Sequence, residues 1–299
     1  MNKCAILTMD SLDNFEAYDQ LIVSPLAALG WQVDMVSWRK QDVDWSNYSA
    51  VIIRSPWDYQ DDAPAFLAVL EAIEASSAHL ENSLAIVRWN IDKQYLKDLQ
   101  QQNVSVVPTI WREQINQKAL SLDELQGYFD HFKQDQIVLK PRISANADNT
   151  FWINRNSVQQ YYEQIHNAFL TRNFMVQPFI ESVIKEGEFS LFYFNGHYSH
   201  TILKTPKAND FRVQEEHGGQ LKSITPEKSL LEFAEKSMTA ITTLHQTPLY
   251  ARVDFVRNEG GFALMEAELI EPSLYFNMDE ESPKRFAKAF VERMQHITL

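Results

Sequence analysis

The chain has 299 residues, 45% of them hydrophobic, one cysteine and a formal charge of -13 at pH 7. That length and apolar content support a core divided over two or three packed units. The acidic balance, with no Lys/Arg run, excludes a nucleic-acid footprint. No apolar stretch approaches the roughly 20 residues of a membrane span, and a single cysteine excludes an internal disulfide, so we expect a cytoplasmic protein with no membrane partner.

Residues 3–8 read as an apolar strand, with Cys4 as a small core residue. Asp10 and Asp13 interrupt the run, so the first ten residues read as a strand and not as a signal peptide. Residues 14–29 carry apolar side chains at helical spacing and stop at Gly30. Residues 31–38 alternate like a strand, 50–53 form a buried strand, 63–73 a helix and 84–87 another strand. Strands alternating with helices predict a parallel sheet with helices on its faces over residues 1–90. Ligands bind beyond the strand ends of such sheets. One such end is Arg54-Ser55-Pro56-Trp57-Asp58-Tyr59, rich in polar and aromatic groups.

The pattern changes over residues 91–180. A helix at 91–101, an extended segment at 104–110, a helix at 120–132, strands at 137–140 and 150–153 and a helix at 158–170 make a small mixed unit. Residues 181–299 hold two hairpins. Asn195-Gly196 joins one, since both residues tolerate positive φ, and Asn258-Glu259-Gly260 joins the other. Helices are predicted at 231–244 and 282–296.

Four stretches carry chemistry. In Ala251-Arg252-Val253-Asp254-Phe255, Arg252 and Asp254 share a strand face, and Glu266 and Glu268 share a face of the returning strand. Clustered carboxylates repel unless a cation lies among them, and an all-oxygen set suits Mg²⁺. The alternative is a solvated strand face. Lys140 ends a strand before Pro141 and the polar loop 144–150, where it could reach phosphate oxygens or stand as an ordinary surface lysine. Gln177, Phe179 and Ile180 lie in an extended segment able to read a base edge, with Glu188 further on; a core strand with a surface glutamate is the plainer reading. Asn209-Asp210-Phe211-Arg212 precedes His217-Gly218-Gly219. Arg212 could hold a phosphate or carboxylate, and the glycines allow close backbone approach.

In this order the stretches resemble the ATP-grasp superfamily, over about residues 90–280. Its members include D-alanine–D-alanine ligases, bacterial glutathione synthetases, ligases that glutamylate a ribosomal protein, and O-ureido-serine cyclo-ligases. The resemblance implies an α/β fold: a parallel-sheet pre-grasp domain (1–90), then two α+β subdomains (91–180 and 181–299) that enclose ATP. It implies that Lys93 and Lys140 contact the nucleotide and that Ser144, with the rest of its loop, covers the phosphates. That loop is glycine-free, unlike the family's. By the same resemblance Gln177, Phe179 and Ile180 hold the adenine and Glu188 the ribose. Lys204 and Arg212 are phosphate- or substrate-side cations, and Arg252 faces the transferred phosphoryl group. Asp254, Glu266 and Glu268 would ligate Mg²⁺, two ions, with Mn²⁺ an alternative. Glu268 stands where the family has asparagine. Arg54, Trp57, Asp58 and Tyr59, with Gly218, Gly219 and Ser273, would face a small amino-acid-like substrate. The expected activity is carbon–nitrogen ligation through an acyl-phosphate. The rivals are an intramolecular cyclo-ligase, a kinase on the same scaffold and a non-catalytic nucleotide-binding regulator. The resemblance also allows a homodimer.

Overall fold

The structure is a computed structural model that describes residues 2–13, 15–113, 120–144, 147–208 and 210–297. The first unit holds β1 (Asn2–Thr8), α1 (Val23–Ala28), β2 (Trp31–Ser37), β3 (Ala50–Ser55), α2 (Ala63–Glu74), β4 (His79–Glu81) and α3 (Leu84–Asn90). Its sheet runs β2-β1-β3-β4, all parallel. Every residue of β3 is buried, as befits a central parallel strand covered on both faces.

Two expectations fail here. Residues 84–87 begin helix α3, and the fourth strand is His79–Glu81 instead. A short apolar run fits a buried helix as well as a strand, and only packing separates the two. The helix expected over 14–29 is only α1, preceded by a 3-10 turn at Asp19–Ile22. Tyr18, at φ 57°, breaks any longer helix, and Asn14 lies outside the described residues.

The second unit holds α4 (Tyr95–Gln101), β5 (Ile110–Arg112), α5 (Leu122–Phe132), β6 (Gln136–Pro141), β7 (Phe151–Asn154), α6 (Val158–Ala168) and β8 (Phe174–Pro178). Its antiparallel sheet has the order β5-β8-β6-β7. The third unit holds α7 (Ser182–Lys185), β9 (Glu188–Phe194), β10 (His197–Thr205), β11 (Gln220–Ser223), α8 (Lys228–Leu244), β12 (Tyr250–Asn258), β13 (Gly261–Glu268) and α9 (Ser282–Ile297). Its antiparallel sheet has the order β11-β10-β9-β12-β13. Asn195 and Gly196 make the β9–β10 turn at φ 48° and 79°.

Packing crosses the boundaries suggested by the chain pattern. Tyr95, Leu96 and Leu99 of α4 join the core of the third sheet with Leu230, Ile241 and Leu264. Helix α9 buries Phe286 and Phe290 against Ile6, Leu26 and Trp31 of the first unit, the Trp31 and Phe290 rings meeting edge-on at 4.7 Å. Asn82 fastens the first unit to the third. Its amide donates to the carbonyls of Tyr250 (3.0 Å) and Leu269 (2.7 Å) and accepts from the Leu249 N–H (2.6 Å). Three satisfied hydrogen bonds on one buried side chain fix the approach of β12 and of the segment after β13.

Candidate active site

A cleft of about 1500 Å³, including its open mouth, lies between the second and third sheets, with the first unit closing one end. Strand alternation aims β12 and β13 at it. The hairpin register sets Arg252 opposite Glu268 and Asp254 opposite Glu266. On the next strands Glu188 faces Lys204, and Ser190 faces Asp254. From the second sheet β6 brings Lys140, and the turn before α4 brings Lys93.

The acids are compensated by protein cations. Lys93 Nζ lies 2.7 Å from Glu266, and Lys204 Nζ lies 2.6 Å from Glu188 and 3.5 Å from Asp254. Arg252 pairs with Glu268 and donates from Nε to both Asp254 oxygens, at 3.0 and 3.1 Å. Ser190 Oγ donates to Asp254 at 2.5 Å. Burial would raise the Glu266 carboxyl, but Lys93 and Lys140 hold it down at about 2. At Glu268 burial prevails, reinforced by Glu266 and Asp254 against Arg252, and pushes the carboxyl up to about 8. Burial also draws the Lys140 ammonium below its ordinary value, with Glu266 opposing. Among the described residues no carboxylate pairs with Lys140, which leaves its ammonium free for an anion.

The three acids expected to ligate metal share one side of the hairpin but are not gathered at one point. Asp254 is 2% exposed, sits beneath the cleft lining and is held by Ser190 and Arg252. Among the described residues no group of three His, Cys, Asp or Glu side chains stands close enough to hold an ion. The chemistry of the donor set nevertheless suits a hard divalent cation, since all three side chains offer only oxygen. Such an ion would compete with Lys93 for Glu266 and with Arg252 for Glu268.

The other expected residues divide. Gln177, Phe179, Ile180, Glu188, Lys204, Arg212, Trp57, Tyr59 and Ser273 all line the cleft. Phe179 stacks on Trp152 at 4.5 Å, and Gln177 Nε2 donates to Thr109 Oγ1 at 3.0 Å. Lys93 Nζ donates to the Ser144 carbonyl at 2.9 Å, tying the loop to the turn before α4; Ala145 and Asn146 lie outside the described residues. Arg212 is held by Asp210, Nη2 at 2.9 Å, while Asn209 lies outside the described residues.

Arg54, Asp58, Gly218 and Gly219 do not line the cleft. Arg54 is fully buried, because the strand that carries it is buried throughout; it pairs with Asp19 at 3.0 Å and donates to the Pro272 carbonyl at 2.7 Å. Asp58 accepts from Trp38 Nε1 and Arg39 Nε, both at 2.6 Å. Gly219 serves a tight loop, since a Cβ there would meet the Val213 carbonyl oxygen at 2.1 Å.

Sequence reading missed Asn90, Tyr95 and Glu271. Asn90 donates to the Ala267 carbonyl at 2.8 Å and accepts from Leu269 N–H at 2.9 Å, while Tyr95 Oη accepts from Ala267 N–H at 2.9 Å. Together they pin the end of β13 where Glu266 and Glu268 project. The only signal was a polar residue closing an apolar helix three positions before Lys93. Glu271 lines the cleft beside Ser273, and its one signal was an acid before proline in an apolar stretch.

Residues 4–82 match the family described as the N-terminal domain of D-cycloserine synthetase DcsG. The chain is similar to the cycloserine biosynthesis protein DcsG of Streptomyces lavendulae, 30% identical over 291 residues, which cover 89% of this chain and 90% of that protein. Among solved structures it superposes on D-cycloserine synthetase DcsG with a TM-score of 0.86 and 26% identity, over 98% of this chain and all of that one. It superposes on D-alanine–D-alanine ligase from Bacillus anthracis complexed with ATP with a TM-score of 0.70 over 99% of this chain and 98% of that one; at 13% identity that likeness is one of fold. Among the described residues no helix is long and apolar enough to cross a membrane.

Proposed function

The chain belongs to the family of the cycloserine biosynthesis protein DcsG and is an ATP-dependent ligase; from that premise we propose that it binds ATP in the cleft between its second and third sheets and joins a carboxylate to a nitrogen on a small amino-acid-like substrate. The observation that carries this reading is the meeting of Lys93, Lys140, Lys204 and Arg252, from four different elements, with Glu188, Glu266 and Glu268 in one cleft. A carboxylate attacking ATP meets a polyanion, and several fixed cations offset the repulsion.

The residues take roles by position. Phe179, Ile180 and the backbone around them form the apolar wall for the base, and Gln177 lies beside it. Glu188 is placed to accept from ribose hydroxyls once Lys204 is shared with a phosphate. Lys140 takes a phosphate oxygen. Asp254, Glu266 and Glu268 are the residues that would hold Mg²⁺, two ions by the family resemblance, with Mn²⁺ as an alternative. When bound, Mg²⁺ screens the phosphate charge and orients the γ-phosphoryl group. The substrate carboxylate oxygen attacks the γ-phosphorus and ADP leaves. The nitrogen then attacks the acyl carbon, phosphate leaves, and Arg252 is positioned to stabilise the oxyanion formed between these events. Ser144 and its loop keep water from the acyl-phosphate.

The 30% identity to a cycloserine biosynthesis protein is also consistent with a second reading: one small molecule supplies both carboxylate and nitrogen, and the ring closes within it. The deciding experiment is ADP release with Mg²⁺ against D- and L-amino acids and D- and L-O-ureido-serine, singly and in pairs. Turnover with one compound, giving a cyclic product built from that compound alone, supports ring closure. A requirement for two supports intermolecular ligation. Trapping with hydroxylamine should give a hydroxamate, as a kinase product would not. Failure to bind Mg-ATP would overturn the nucleotide assignment.

A further inference from the structure

One end of the cleft holds an acid that the charge network does not use. Glu188, Asp254, Glu266 and Glu268 each pair with a lysine or arginine. Glu271 also lines the cleft, yet among the described residues no cation pairs with it. Glu216 lines the cleft unpaired as well, but it is exposed, and water compensates it. Glu271 is partly buried, and burial pushes its carboxyl up to about 7, outweighing a hydrogen bond from Tyr59 and the longer-range attraction of Lys93 and Arg252. A carboxylate removed from water without a cation in direct contact is costly.

Its surroundings are built. Trp57 Nε1 donates to the Glu271 backbone carbonyl at 2.8 Å, which fixes the backbone independently of the carboxylate. Trp57 is 7% exposed and Tyr59 3%. Two residues on, Ser273 Oγ is buried without a hydrogen-bond partner. Arg54 holds the Pro272 carbonyl between them. A carboxylate with no cation in contact and an unused hydroxyl, walled by two aromatic rings from the first unit, ask for a ligand group that is cationic and donates several hydrogen bonds.

We infer that Glu271, with Ser273 and the aromatic rings of Trp57 and Tyr59, forms the subsite that takes the ammonium group of an amino-acid substrate. This deepens the proposed ligase reading and rests on it. The subsite selects substrates that carry a free amine and sets that amine apart from the cations that draw the carboxylate toward the phosphates. Glu271 is thus a specificity-determining residue, three positions beyond Glu268.

Calorimetric titration of the full chain, saturated with Mg²⁺ and a non-hydrolysable ATP analogue, tests it. The probes are D-serine, L-serine and D- and L-O-ureido-serine, each beside its counterpart with hydrogen in place of the α-amino group. The native chain should bind at least one amine about tenfold or more tightly than its counterpart, the range of a charge-assisted hydrogen bond. Glu271→Gln should bring that ratio close to one with the nucleotide-analogue affinity retained, and Glu271→Asp should restore it in part. A ratio that persists in Glu271→Gln overturns the inference, as does a native chain that prefers no amine. Loss of nucleotide binding by the native chain would instead strike the proposed ATP site, and loss in Glu271→Gln alone would make the residue structural and overturn the subsite.

Discussion

Lys93 Nζ stands 2.7 Å from Glu266, joining the turn before α4 to the returning strand β13 across the cleft. The same carboxylate is held low by Lys140. Glu266 therefore pairs with one of the lysines assigned to the nucleotide, feels the charge of the other and is itself one of the acids assigned to the metal. Glu266→Gln keeps the shape and removes the charge. ADP release should fall at least about a hundredfold, the scale of losing one electrostatic group from a preorganised site. The fold should survive, with a stability loss of about 1–3 kcal/mol from leaving Lys93 uncompensated. Steady-state ADP release and thermal unfolding on one preparation check both parts, and a fully active variant would remove Glu266 from the site.

Lys140 is the cleft lysine with no carboxylate partner among the described residues, so its replacement strands no acid. Lys140→Met should leave thermal stability unchanged or slightly higher, because a buried ammonium is replaced by an apolar chain of similar length. It should weaken Mg-ATP binding about tenfold or more, the loss of one charge-assisted contact. Titration with Mg-ATP gives the affinity. An unaltered affinity would show that Lys140 does not reach the nucleotide.

How far the sequence reaches is plain from these residues. Alternation and a turn were enough to set Arg252, Asp254, Glu266 and Glu268 on one side of the β12–β13 hairpin, because a strand's period of two is local information. Lys140 was legible as a strand end for the same reason. Depth was not legible. Asp254 lies under the cleft because Ser190, 64 residues away, holds it there. Arg54 looked like a strand-end cation facing a ligand, yet Asp19 and the Pro272 carbonyl draw it into the interior. Helix α3 was misread because its first four residues, all apolar, have no period of their own, and the Asn82 bonds that place its start arise from β12 and the segment after β13.

Arg54 and Asp19 form an ion pair with both side chains at most 1% exposed. Removing one partner leaves a buried charge, which costs about 3–5 kcal/mol. Arg54→Met should therefore lower the unfolding midpoint strongly. It should also weaken substrate turnover, because the Pro272 carbonyl that Arg54 holds lies between Glu271 and Ser273. Asp19→Asn combined with Arg54→Met should recover much of the stability, since no unpaired charge remains, without recovering the hold on Pro272. Denaturant unfolding of the single and double variants measures the coupling. Additive losses would show that the pair is not a unit.

His200 is 6% exposed and stacks on Phe192 with ring centroids 4.2 Å apart. Nε2 lies 3.2 Å from the Leu274 carbonyl, which only accepts, so Nε2 carries the proton and Nδ1 accepts from Ser199 Oγ at 2.9 Å. Burial lowers the imidazole to about 4, outweighing Asp279, which raises it. The folded chain thus binds fewer protons than the unfolded chain between pH 4 and 6.5. Stability from this group is complete above pH 6.5 and is lost as pH falls through that window. The full effect is about 3 kcal/mol. His200→Phe keeps the stacking and removes the titration. Its unfolding free energy, plotted against pH, should lack the native chain's fall between pH 6.5 and 4. Parallel curves for the two chains would show that His200 titrates alike in the folded and unfolded states.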